Sequence, residues 1–125
     1  AYYARSSLSV GSGPGAWYVI AGVNPANLEK AIDLILEELD NFAQNGVTEE
    51  ELADNKANYI GRLPLSLEIN QGVASSLLNI ERHQLGLDYL RTYADLVNAV
   101  TQDDILAVAQ KYIEPARVAI ATAGP

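Results

Sequence analysis

Three features of the sequence predict an α+β fold, in which a β-hairpin, a helical block and a returning strand form a sheet-on-helices layer. Two β-prone runs flank the turn-rich GSGPG. Five segments of helical periodicity follow, each with its own start or stop signal, and the β-branched run Arg117 to Ala123 closes the chain.

Tyr2 to Val10 alternates through Tyr2, Ala4, Ser6, Leu8 and Val10, and Ala16 to Val23 is rich in aromatic and β-branched residues, so the pair reads as a hairpin. Gly11, Gly13 and Gly15 with Pro14 resemble a phosphate-cradling loop only superficially, because such loops join a strand to a helix and here a strand follows. Asn24 before Pro25 is an N-cap with proline in the first turn. Leu28, Ile32, Ile35, Leu36, Leu39 and Phe42 then form one apolar stripe that ends at Gly46. The acidic residues of this segment, Glu29, Asp33, Glu37, Glu38 and Asp40, fall mostly off the stripe and read as a solvated face.

Thr48 and Glu51 make a capping box, with Val47 and Leu52 as its hydrophobic staple, and the helix they start is expected to run through Tyr59 and Ile60 until Pro64 disrupts it. From Ser66 or Leu67 a third helix carries Ile69, Val73, Leu77 and Ile80 on one side. Gly72, Ala74, Ser75 and Ser76 allow a neighbour to approach closely, and Gly86 stands where a left-handed C-cap is wanted. Asp88 caps a fourth helix bearing Leu90, Tyr93, Leu96, Val97 and Val100. Thr101 and Asp104, stapled by Val100 and Ile105, start a fifth that ends before Pro115. Arg117 to Ala123 alternates weakly, as expected of a strand covered on one face by helices.

A chain of 125 residues with 49% hydrophobic content has room for one domain, 1–125, with a real core. The net charge of -8 opposes the phosphate neutralisation that drives nucleic-acid binding, so no nucleic-acid partner is expected. No apolar run of membrane-spanning length and no Lys/Arg cluster occurs, so no membrane partner is expected either. The absence of Cys fits bacterial cytoplasm and periplasm equally. Met is absent too, and the first residues read as a strand interior. The chain is therefore expected to begin inside a longer polypeptide, although loss of an initiator Met before Ala1 would give the same start. Three strands are few for so much helix, which points the same way, and a truncated sheet would be prone to pair with a second copy as a homodimer.

The chemistry is bounded by a deficit. A catalytic zinc needs three protein ligands, and this chain has one histidine, His83, near the end of the third predicted helix, where an imidazole complements the helix dipole. Neither HExxH nor HxxEH occurs, no Cys offers a nucleophile, and no Ser sits in a GxSxG elbow. The carboxylate groups Asp103/Asp104 and Glu49 to Glu51 lie at helix N-termini, where the dipole accounts for them.

The order of these signals, RLPLSLEINQGVASSLLNIERHQLGLDYLRTY followed by VTQDDILAVAQKYIEP, resembles the insulinase or pitrilysin-like zinc peptidases, and specifically their zinc-free domain. The resemblance implies a domain of the mitochondrial-processing-peptidase-like metallohydrolase fold. It also implies a partner domain, in cis or in trans, that bears HxxEH and zinc and closes with this one around a peptide. Members carry L-R-x-x-x-G-x-A-Y in this domain; Ala1 and Tyr2 match its last two letters, which places the Arg before the first residue. Tyr2 would then be an auxiliary catalytic residue, reaching the scissile region held on the partner's zinc and stabilising the oxyanion. Tyr3 offers the alternative register, and an ordinary strand aromatic is the plain reading of both. Ser6, Trp17 and Tyr18 are candidates for lining the chamber.

The resemblance thus implies the non-catalytic, substrate-enclosing domain of a zinc metalloendopeptidase that is inactive alone and holds no cofactor in this chain. The alternative is a non-peptidase scaffold subunit of a larger complex with the same fold. A small-molecule binding module would need a convergent polar constellation, and none is visible.

Overall fold

The computed structural model describes residues 1–9, 11 and 13–124. They fall into two compact units: Ala1–Asn41 with Ile113–Pro125, and Phe42–Tyr112.

In the first unit, β1 (Tyr3–Ser9) and β2 (Ala16–Gly22) form the expected antiparallel hairpin. Its register runs from Tyr3 opposite Gly22, through Ser6 opposite Val19, to Ser9 opposite Ala16. Side chains directly opposite each other share a face. One face therefore carries Ala4, Ser6, Leu8, Trp17, Val19 and Ala21, and the other Tyr3, Arg5, Ser7, Tyr18 and Ile20. Every residue of β1 is exposed, while Val19 to Gly22 are half-buried. The expected extension of the first strand to Val10, and Ser12 in the turn, lie outside the described residues.

Asn24 caps a 3-10 turn, Pro25–Asn27, through its side-chain oxygen, which accepts the Ala26 N–H at 3.0 Å. α1 (Leu28–Asn45) continues from it, with Ile32, Ile35, Leu36, Leu39 and Phe42 all half-buried, so the predicted stripe is the face that packs. The helix ends as predicted at Gly46, whose φ is +68° and whose N–H donates to the Phe42 carbonyl at 2.9 Å.

The strand expected over Arg117 to Ala123 does not form. Pro115–Arg117 is a 3-10 turn, and the described residues after it join no ladder. A strand exists only where a partner's backbone satisfies its N–H and C=O groups, and β-branched composition names the candidate without supplying that partner.

In the second unit, α2 (Glu49–Ser66) opens on the complete Thr48–Glu51 capping box, with the Glu51 N–H donating to Thr48 Oγ1 at 3.2 Å and the Thr48 N–H to Glu51 Oε2 at 2.8 Å. Pro64 lies inside this helix instead of ending it. A proline removes only its own N–H and crowds the carbonyl one turn back; placed in the final turn, it leaves few later hydrogen bonds to lose. α3 (Asn70–Arg82) accordingly starts later than predicted, after Ile69. The corner between α2 and α3 is closed by Gly72, where a Cβ would overlap the Ser66 carbonyl.

The end of α3 also differs. His83 is the C-cap, and Gln84, not Gly86, takes the left-handed position with φ +53°. The Leu85 N–H donates to the Ile80 carbonyl at 3.0 Å and the Gln84 N–H to the Glu81 carbonyl at 3.2 Å, which together make a Schellman motif. Gly86 adopts φ +86° two residues later, in the link to α4 (Tyr89–Ala99). Asp88 occupies the N-cap position of α4, yet its carboxylate pairs with Arg91 at 3.1 Å and makes no backbone cap. α5 (Gln102–Tyr112) opens on the second predicted box, in which the Asp104 N–H donates to Thr101 Oγ1 at 3.1 Å and the Thr101 N–H to Asp104 Oδ2 at 2.9 Å.

The expected large core is not found among the described residues. The buried hydrophobic residues among them are Ile80 and Ala109. Ile69, the N-cap residue of α3, and Val73 and Leu77 within it remain exposed although they share Ile80's predicted stripe. An apolar stripe is buried only where another layer faces it, and in this unit the packing is chiefly between α2 and α4.

Candidate functional site

The residue singled out by the sequence, Tyr2, stands one step before the hairpin ladder. Its N–H donates to the Gly22 carbonyl at 2.7 Å, and its side chain is 78% exposed. Tyr3, the alternative register, is held differently: it pairs opposite Gly22, and its ring lies over the glycine so closely that a Cβ there would meet Cε1, Cζ and Cδ1 of the tyrosine within 3.0 Å. Two consecutive tyrosines thus address one glycine, the first through its amide and the second through its ring. Reading the sequence alone missed Gly22; the available signal was a glycine at the end of a strand, which marks close approach.

The three lining candidates do not share a surface. Ser6 and Trp17 lie on one face of the hairpin and Tyr18 on the other, so a single chamber wall takes at most one of these sets. The GSGPG segment joins β1 to β2, and no helix N-terminus follows it to complete a phosphate site.

The second unit contains an apolar groove of 540 Å³. The staple residues of both capping boxes, Val47 with Leu52 and Val100 with Ile105, form its walls together with Phe42 and Val97. Tyr59 and Tyr93 complete the lining, and Tyr93 meets Tyr89 edge to face with ring centroids 5.8 Å apart. Partial burial, reinforced by Tyr89 and Tyr59, pushes the Tyr93 hydroxyl above the usual phenol range. The polar groups at the rim are already engaged. Lys56 Nζ donates to the Asn98 carbonyl at 2.9 Å, and Glu51 serves its capping box. Such a groove has no acid–base pair poised for chemistry.

His83 is exposed at the end of α3, and among the described residues no group of three or more His, Cys, Asp or Glu side chains is placed to hold a metal ion. The donor set does not fit zinc. Glu51 and Asp104 are both held below the usual carboxylate range. For Glu51 the Thr48 amide is the main cause and the Thr48 hydroxyl the second; for Asp104 the Thr101 hydroxyl leads and the Thr101 amide follows. Their perturbation is structural. Among the described residues no helix is long and apolar enough to cross a membrane.

A family model described as the peptidase M16 inactive domain matches residues 1–59, spanning the hairpin, α1 and the first part of α2. Neither the curated proteins nor the solved structures yielded a match.

Proposed function

We propose, from the match of residues 1–59 to a family model described as the peptidase M16 inactive domain, that residues 1–125 form one non-catalytic, substrate-enclosing domain of a zinc metalloendopeptidase acting on peptides. M16 inactive domains generally pair with a catalytic M16 domain, which would carry HxxEH and the zinc that this chain's donor set does not fit.

In this reading Tyr2, with an Arg upstream of it, supplies a hydrogen-bond donor to the oxyanion that forms on the partner domain. The exposure of Tyr2 supports the assignment, because a phenol that must reach a separate domain cannot be spent on its own sheet. Tyr3 is the weaker candidate for the same reason, since its ring is engaged with Gly22. The phenol acts as a neutral donor, contributing most where closure excludes water.

The test is peptide hydrolysis by the polypeptide containing these residues together with its HxxEH domain. Tyr2→Phe should lower kcat by about 10²- to 10³-fold, the loss typical of one oxyanion donor, with zinc content and thermal midpoint unchanged. An unaltered kcat, or zinc-dependent cleavage by residues 1–125 alone, would overturn the reading.

A further inference from the structure

We infer that Gly22 and Tyr3 are positioning residues that together form the seat for Tyr2; the inference rests on the auxiliary role proposed for Tyr2. Three observations converge. The Tyr2 N–H is tied to the Gly22 carbonyl at 2.7 Å, which fixes the backbone from which the phenol projects. Tyr3 stands opposite Gly22 in the ladder, and its ring occupies the space that any other residue at position 22 would fill with a side chain. Tyr2 itself precedes the ladder, so this one amide bond replaces the regular strand pairing that holds the residues after it.

The seat explains a choice that is otherwise costly. Glycine weakens a strand by its backbone freedom and by having nothing to pack, yet it occupies the last position of β2. Covering that glycine with an aromatic ring from the opposite strand offsets the loss. It also locks the backbone of Tyr3, and through it the direction in which the preceding residue leaves the hairpin. Adding a Cβ at position 22 forces the ring aside, and the shift is transmitted across a single peptide unit to Tyr2. Misplacing a catalytic group by about 1 Å can cost ~10²-fold in rate without weakening substrate binding.

The experiment measures kcat and KM of the same two-domain enzyme for Gly22→Ala, Tyr3→Ala, Tyr3→Phe and the Gly22→Ala/Tyr3→Ala double variant, beside Tyr2→Phe. Amide exchange at Tyr2 is followed in parallel. Gly22→Ala and Tyr3→Ala should each lower kcat by up to ~10²-fold with KM little changed, and both should accelerate Tyr2 amide exchange while the inward amides of the β1–β2 ladder stay protected. Tyr3→Phe keeps the ring and should retain the parent kcat. The double variant should be no slower than the slower single one, because both changes disable the same seat. If Tyr2→Phe is slow while Gly22→Ala and Tyr3→Ala match the parent, the seat is refuted and the role of Tyr2 stands. If Tyr2→Phe matches the parent, the underlying reading fails instead. Loss of activity in Tyr3→Phe would show that its hydroxyl acts directly, which also overturns the inference. Should the alanine variants unfold the hairpin, loss of protection along the whole β1–β2 ladder would reveal a role in folding in place of positioning, and the seat would again be refuted.

Discussion

Gly72 lies against the carbonyl of Ser66, so closely that no side chain can be added without moving the backbone of the α2–α3 corner. Ordinarily glycine inside a helix is a defect, and replacing it by alanine gains about 1 kcal/mol. Here the sign should reverse. Gly72→Ala is expected to destabilise the protein by about 1 to 3 kcal/mol, the range for forced overpacking, as measured by chemical denaturation. A gain in stability would show that the corner relaxes freely.

Gln84 and Gly86 provide a matched pair. Both have positive φ, +53° and +86°, but only one of them is a glycine. A left-handed conformation costs an L-residue about 1 to 2 kcal/mol, so Gln84→Gly should stabilise the Schellman turn by about 1 kcal/mol once the freedom of glycine in the unfolded chain is offset. Gly86→Ala should lose about 1 to 2 kcal/mol for the same steric reason. Thermal unfolding of the two variants should therefore move in opposite directions.

This pair also shows where the sequence was legible. Most signals completed within four residues were read correctly: Asn24 with Ala26, Thr48 with Glu51, and Thr101 with Asp104 form cap bonds, and the exception is Asp88, whose carboxylate turns to Arg91. Signals that depend on where a helix has already ended were not. The α3 helix stops at Arg82, so the left-handed position falls on Gln84 and Gly86 becomes a linker; Pro64 falls in a last turn that tolerates it. Features needing a distant partner were least legible, including the unformed strand over 117–123 and the exposed stripe Ile69, Val73 and Leu77. The site follows the same rule. Tyr2 was reached through a motif, whereas the faces that separate Ser6 and Trp17 from Tyr18, and the contact of Tyr3 with Gly22, depend on a register that alternation alone does not set.

Acid should loosen both capping boxes. Glu51 and Asp104 have folded pKa values below their ordinary ones, so each binds its proton more weakly in the folded chain. Their contribution is complete above the ordinary carboxylate range and is lost as pH falls through the lowered folded values. The thermal midpoint should consequently drop below about pH 5. In a Thr48→Ala/Thr101→Ala variant the midpoint should be lower at neutral pH and less dependent on acid, chiefly through Asp104, whose pKa the Thr101 hydroxyl depresses most, while the Thr48 amide continues to hold Glu51 low. Parallel midpoint curves for parent and variant across that range would contradict the assignment.

Two long-range side-chain bonds tie the helices of the second unit to one another. Lys56 Nζ on α2 donates to the carbonyl of Asn98 in the last turn of α4 at 2.9 Å, and Gln102 Nε2 at the start of α5 donates to the carbonyl of Val47 at 2.7 Å. The first also places a cation at the negative end of a helix, where it is favoured. Both bonds flank the apolar groove, so they hold its walls apart at a set distance while the staple residues line them. Lys56→Met keeps the aliphatic stem and removes the donor, and should cost about 1 kcal/mol; Gln102→Leu should cost a similar amount. Because the two bonds share neither a donor nor an acceptor, their losses should add in the double variant to within about 0.5 kcal/mol. A marked excess in the double variant, read from urea denaturation at constant slope, would mean that the groove walls move as one body and that each bond holds the other's geometry.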